Sequence, residues 1–111
     1  MGKKKQPEIV PGLYSVVVEC DVTAKVDLHP LRYRVFVNEE LFTERTWIWS
    51  DCYLEESIPI LAPAGIYPIQ FQTVDQTNGR IKVRNFRITS GLGRIKEYKG
   101  CPALEISNEM Q

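Results

Sequence analysis

The side chains that most often carry catalysis are few and scattered in this chain. His29 is the only histidine, and it precedes Pro30 in a polar stretch. A general base needs an orienting partner and a reacting group, and the sequence assigns neither to His29. Glu55 and Glu56 are adjacent, so in a strand they point to opposite faces and cannot share a substrate. The glycines form no dinucleotide-binding or phosphate-loop pattern. We therefore expect no catalytic residues and no bound cofactor.

Metal-binding residue types are present without metal-site spacing. Four aspartates fall near the ends of apolar stretches, where carboxylate oxygens could bind calcium. They are Asp21, Asp27, Asp51 and Asp75. Each stands alone, and a single aspartate more often forms a turn by bonding its own backbone. We expect turn residues here and no metal site.

The cysteines also lack a site-forming pattern. Cys20, Cys52 and Cys101 are widely spaced, odd in number and without a C-x-x-C pair. This argues against a disulfide framework or a zinc site. We expect three reduced thiols, with Cys20 on the inward face of its strand.

Two tryptophans are the residues best suited to binding. Trp47 and Trp49 share one strand face, and Ile48 lies on the other. If Phe42 and Ile48 face the core, the indoles are exposed and can stack sugar rings or anchor a protein interface. However, this stretch is apolar on both faces, as in a strand that is covered on both sides. Both interpretations stay open, and we expect at least one of the two tryptophans in the core.

Charge is balanced overall but unevenly distributed. There are 14 Lys and Arg residues and 14 Asp and Glu residues, which makes no case for nucleic acid or an anionic membrane as partner. Residues 39–56 hold six acids and one base, whereas residues 80–99 hold seven bases and one acid. The two regions can pair across strands within one molecule, or they can meet a partner. The candidate interaction residues in the basic region are Arg80, Lys82 and Arg84.

Strand periodicity fills most of the chain. The predicted strands cover residues 13–22, 31–38, 41–49, 53–61, 66–74 and 80–89, with short edge strands at 94–98 and 103–106. Residues 23–30 are predicted as a loop, and residues 38–40 as the tight turn of a hairpin. Pro59 predicts an edge strand or a bulge. The apolar phase changes between Val83 and Phe86, which predicts a β-bulge near Arg84 and Asn85.

These elements predict one all-β domain, a single antiparallel β-sandwich of jelly-roll or Greek-key-like connection with seven to eight short strands. It spans residues 13–106. Residues 1–12 are polar, contain two prolines and lack periodicity, so we predict an extended basic arm with Lys3, Lys4 and Lys5 as interaction residues. Residues 107–111 form a tail. No apolar stretch of signal-peptide or membrane-span length is present, so we expect synthesis in the cytoplasm.

Over residues 13–91 the pattern resembles two groups of proteins. One is the small β-sandwich accessory proteins of tailed-phage virions, which combine a basic or extended arm with no catalytic residues. The other is the carbohydrate-binding β-sandwich modules, whose hairpin and turn-plus-strand resemble Val35–Asn38 and Pro63–Ile69. The first resemblance implies a structural protein of the virion, in capsid or tail, that binds neighbouring subunits. The second implies a glycan partner at Trp47 and Trp49.

Overall fold

A computed structural model describes residues 12–26, 31–47, 53–74 and 79–107. Within them lie eight strands: β1 (Tyr14–Val26), β2 (Leu31–Val37), β3 (Glu40–Trp47), β4 (Tyr53–Ala62), β5 (Gly65–Thr73), β6 (Gly79–Ser90), β7 (Arg94–Tyr98) and β8 (Cys101–Ile106). They form a three-stranded sheet, β4-β1-β6, and a five-stranded sheet, β3-β2-β5-β8-β7. All pairings are antiparallel. The predicted all-β sandwich is confirmed.

Two hairpins and a set of crossing connections give the sandwich its topology. β2 and β3 are joined by Asn38 and Glu39, whose φ angles of 50° and 72° fit a two-residue hairpin turn. β7 and β8 form the second hairpin, and the other consecutive strands lie in different sheets. The predicted arm, apart from Gly12, and the predicted tail, apart from Ser107, lie outside the described residues.

The core is formed by the inward faces of the two sheets. β1 alternates cleanly, and Val16, Val18, Cys20 and Val22 are all 0% exposed. Burial, and next the carboxylate of Glu56, raises the pKa of the Cys20 thiol from 9.0 to about 12. Cys20 and Cys101 are free thiols, as predicted. Cys52 lies outside the described residues.

β1 is longer than the sequence pattern indicated. It continues to Val26, so the predicted loop at residues 23–30 is wrong for its first four residues. Residues 27–30 lie outside the described part. The extension pairs with the beginning of β6, since Ala24 lies opposite Ile81 and Val26 opposite Gly79. Strand alternation therefore continues through Thr23, Ala24, Lys25 and Val26, where the sequence pattern had predicted a loop.

The predicted bulge in β6 is confirmed. Glu19 lies opposite Arg87 and Asp21 opposite Arg84, so three steps along β6 match two along β1. Asn85 takes up the extra residue with a φ of 61°, a left-handed conformation that asparagine tolerates. As a result, the apolar residues on both sides of the bulge pack against the same core: Ile81, Val83, Phe86 and Ile88.

Another bulge, which the sequence pattern did not predict, lies in β3. Val35 pairs with Thr43 and Phe36 with Leu41, so Phe42 is the extra residue. The prediction that Phe42 faces the core is wrong: its side chain is 37% exposed. Because the bulge shifts the alternation of β3 by one residue, Trp47 faces the core. Pro59 lies in β4, an edge strand of the three-stranded sheet, as predicted.

Candidate functional site

Trp47 belongs to the core. Its side chain is 1% exposed, and its ring lies 6.5 Å from that of Tyr33. The interpretation that places Trp47 on the outer face is therefore wrong, and the expectation that at least one tryptophan lies in the core is confirmed. Trp49 lies outside the described residues. A pair of exposed indoles involving Trp47 is not a feature of this fold.

A buried carboxylate lies where β4, an edge strand of the three-stranded sheet, approaches β3. Glu56 of β4 is 0% exposed. Arg45 of β3 donates to it from Nε at 2.8 and 2.9 Å and from Nη2 at 2.6 Å. The hydroxyl of Tyr33 in β2 donates to Oε1 at 3.0 Å. Three strands of two sheets thus converge on one carboxylate. We call Tyr33, Arg45, Trp47 and Glu56 the β3–β4 edge cluster.

The β3–β4 edge cluster has the geometry of a structural ion pair. Both oxygens of Glu56 accept hydrogen bonds from the chain itself. Burial raises the pKa of Tyr33, and the hydrogen bond to Glu56 raises that of Arg45. Sequence reasoning missed this cluster, although it correctly separated the faces of Glu55 and Glu56. The available signal was a charged residue at an inward position of β4, between Leu54 and Ile58.

A second charged cluster lies on the outer face of the three-stranded sheet. Arg87 of β6 contacts Glu19 at 3.2 Å, Asp21 at 3.1 Å and Glu55 at 3.5 Å. The amide of Asn85 donates to Asp21 at 2.8 Å. This bond, and next the one from Arg87, lowers the pKa of Asp21. The expectation that Asp21 is a turn residue is therefore wrong. Asp21 lies within β1, and its carboxylate accepts hydrogen bonds from the side chains of Asn85 and Arg87. Asp27, Asp51 and Asp75 lie outside the described residues.

The acidic region (residues 39–56) and the basic region (residues 80–99) pair with each other only in part. Arg87 and Glu55 do join the two regions. Glu44, however, pairs with its hairpin neighbours Arg32 and Arg34, at 3.1 and 2.8 Å. These contacts, with Arg34 first, lower the pKa of Glu44. Two carboxylates of the acidic region, Glu44 and Glu56, are thus paired with bases that lie outside β6.

Four further cations lie on the outer face of the three-stranded sheet, beside the Arg87 cluster. We call them the basic strip: Lys25, Arg80, Lys82 and Arg84. All four are exposed. Lys25 lies directly opposite Arg80, Thr23 opposite Lys82, and Asp21 opposite Arg84. Of the carboxylates in the described parts of the chain, none lies within 4.0 Å of a strip cation. Arg84 borders the Arg87 cluster and adds to the lowering of the Asp21 pKa.

Close packing of β6 on β1 holds the strip in place. Gly79 begins β6 with a φ of 139°, and a Cβ there would collide with the carbonyl oxygen of Lys25. The Thr23 hydroxyl lies 3.5 Å from the carbonyl oxygen of Lys82. The strip and its immediate neighbours line an open hollow of ≈ 510 Å³. The structure thus brings together the three predicted residues of β6 and adds Lys25, which sequence reasoning had placed in a loop.

The remaining surface features are less specific. A groove of ≈ 260 Å³ lies where β3 begins and β4 ends, and exposed Leu41, Phe42 and Leu61 contribute to it. It offers apolar contact without a charge pattern that identifies an occupant. Lys3, Lys4 and Lys5 lie outside the described residues.

Neither a metal cluster nor a spanning helix is found in the part of the chain that the structure describes. No group of three or more His, Cys, Asp or Glu side chains there is placed to hold a metal ion. No helix in those residues is long and apolar enough to cross a membrane. No protein-family model matches the chain, and comparisons with curated proteins and with solved structures give no match.

Proposed function

We propose that this chain is a non-enzymatic assembly protein that binds a neighbouring protein subunit through the basic strip. The observation that carries this proposal is the cluster of exposed cations without carboxylate partners among the described residues. On the same strand, Arg87 contacts three carboxylates. The same sheet therefore neutralises one cation with several carboxylates, whereas no carboxylate of the described residues lies within 4.0 Å of a strip cation.

The strip has an energetic cost that a partner would remove. Lys25 and Arg80 are directly opposed across an antiparallel pair, and like charges in that position are destabilising. An anionic surface placed over them converts repulsion into attraction. Complementary charge also speeds encounter and fixes the orientation of two proteins. We therefore assign the strip to recognition rather than to the stability of the isolated sandwich.

The resemblance to accessory proteins of tailed-phage virions supplies the class of assembly. On this proposal the chain is a capsid or tail component made in the host cytoplasm, and its partner is a larger shell or tail protein or another copy of the chain. The arm at residues 1–12 and the tail at residues 107–111 provide further contacts. Burial of Trp47 removes one of the two indoles on which a glycan site depended, and no observation favours that function.

Sedimentation tests the proposal. The chain is expressed in its source cells, and extracts are separated on a sucrose gradient. We expect the wild-type protein to travel with a large particle and the Arg80→Glu/Lys82→Glu variant to stay at the top. Lys99→Glu, an exposed reversal at the β7–β8 turn, is the matched control and should behave as wild type. Wild-type protein found only at the position of a monomer would overturn the proposal.

A further inference from the structure

We infer that the partner reaches the basic strip as an extended acidic segment, which pairs with the free edge of β6 as an additional strand. This inference rests on the proposed function and names the chemistry of the partner. Three features carry it: the open edge, the spacing of the cations and the apolar residues between them.

The first feature is the edge itself. β6 ends the β4-β1-β6 sheet, so one side of it has no strand neighbour in the described structure. From Gly79 to Arg84 its register with β1 runs without interruption, and the bulge follows at once. The unpaired backbone groups of such an edge form a template for another strand. Extended peptides bind sheets in this way, with main-chain hydrogen bonds supplying affinity.

The second feature is the alternation of side chains along this stretch. Arg80, Lys82 and Arg84 share the outer face, and successive members are about 6.6–6.8 Å apart because a strand rises about 3.3–3.4 Å per residue. An added strand has the same repeat. Acidic residues at every second position would each lie beside one cation of β6, and Lys25 would reinforce the charge from β1.

The third feature is the inward face between the cations. Ile81 and Val83 pack against the core but are only partly buried. The intervening residues of an added strand would extend this apolar layer, so they should be apolar. The surface therefore specifies a ligand in which acidic and apolar residues alternate.

Edge protection and nucleic-acid binding are two further roles that a row of cations can serve. Cations on an edge strand can act only to prevent edge-to-edge aggregation. That role does not account for Lys25, because β1 is the central strand of the sheet. A nucleic acid is a polyanion that the strip could attract. Glu19, Asp21 and Glu55 lie on the same outer face, where they would repel a phosphate backbone but not a strand docked on the far side of β6.

Binding of synthetic peptides tests the inference. The probe is a fluorescent peptide of alternating Glu and Val, measured by anisotropy at low and moderate salt against the full chain. We expect saturable, salt-sensitive binding, and a loss of at least about tenfold in Arg80→Glu/Lys82→Glu. Lys99→Glu should remain within about twofold of wild type. Backbone amide exchange across residues 79–84 should slow when the peptide is bound.

Two control ligands isolate strand pairing. A peptide of the same composition with its Glu and Val residues in separate blocks should bind at least about tenfold more weakly. A version N-methylated at alternate residues on the pairing edge should also lose binding, because it cannot complete the ladder. Equal binding of either control ligand would overturn the inference in favour of simple charge attraction.

The remaining outcomes also decide the matter. Tighter binding of a single-stranded oligonucleotide than of the alternating peptide would overturn the inference in favour of nucleic acid. Absence of peptide binding, with Arg80→Glu/Lys82→Glu aggregating, would assign the strip to edge protection. If the peptide fails to bind while wild-type sedimentation still requires Arg80 and Lys82, the strand-pairing inference fails and the proposed function stands.

Discussion

An arginine lies at each edge of the three-stranded sheet, and the two have opposite charge environments. At the β4 edge, Arg45 of β3 in the facing five-stranded sheet binds the fully buried carboxylate of Glu56. At the β6 edge, Arg80 is exposed and faces Lys25. The residue type is the same, but one guanidinium joins two sheets and the other weakens its own pair of strands. The difference indicates which charges serve the fold and which are available for a partner.

The physical basis of this difference is desolvation. A buried ion pair contributes little beyond an apolar pair of the same size, but removing one partner is costly because a bare charge stays buried. Exposed charges are screened and interact weakly. Substitutions at the β4 edge should therefore act on stability, and substitutions at the β6 edge should act on binding.

The largest effect is expected at Trp47. Trp47→Ala should lower the free energy of unfolding by about 3–5 kcal/mol, the usual cost of emptying a large buried aromatic site. Urea denaturation measures the loss. Leu41→Ala, at an exposed site on the same strand, is the matched control and should change stability by no more than about 0.5 kcal/mol. A Trp47→Ala protein as stable as wild type would contradict the placement of this ring in the core.

The next effect tests the ion pair at the same edge. Arg45→Met should cost about 3 kcal/mol, the lower end of the range for breaking a buried pair, because solvent reaches the guanidinium. Arg45→Met/Glu56→Gln should recover most of the loss, since the buried group is then neutral and still accepts from Tyr33. Arg32→Met, in an exposed pair with Glu44, should change stability little. Equal losses in the Arg45 and Arg32 variants would remove the contrast between a pair whose carboxylate is buried and a pair whose carboxylate reaches solvent.

A smaller effect follows from alkaline pH. The unfolded Cys20 thiol loses its proton near pH 9, whereas the folded thiol has a pKa of about 12, and the pKa of Tyr33 is also raised above 10.0 by burial. Between these values the unfolded state holds fewer protons, so stability falls as pH rises. The slope should reach at most about 1.4 kcal/mol per pH unit for each group.

Urea midpoints from about pH 8 to about pH 11 measure this decline. The variant Cys20→Ala should show a shallower decline than wild type because one of the two raised groups is absent. A midpoint that stays constant over this range would show that Cys20 and Tyr33 ionise as readily in the folded state as in the unfolded chain.

The smallest effect, with the opposite sign, is expected at the β6 edge. Arg80→Glu replaces a like-charged neighbour of Lys25 with an opposite charge, and should stabilise the sandwich by about 0.2–1 kcal/mol. The same substitution is expected to weaken partner binding. Thermal unfolding of Arg80→Glu beside Lys99→Glu measures the difference. A clear loss of stability in Arg80→Glu would assign that residue to the fold and remove the distinction between the edges.

Local periodicity was sufficient for the outline of the fold. Alternation along β1, β2 and β4 identified their inward faces, and Pro59 marked an edge because proline cannot donate to a ladder. The bulge at Asn85 was visible as a change of apolar phase. Each of these signals lies within one strand, where the two-residue repeat links sequence to facing.

Other features depended on contacts between distant parts of the chain. The bulge at Phe42 shifted the phase of β3 and sent Trp47 inward, although the residues around it are apolar on both faces. Only the packing of the two sheets against each other brings Arg45 of β3 to Glu56 of β4. Likewise, only the register of β1 with β6 places Lys25 opposite Arg80. The sequence by itself determined which residues alternate. The tertiary structure decided which charges meet, because pairing depends on register and stacking between strands that are far apart along the chain.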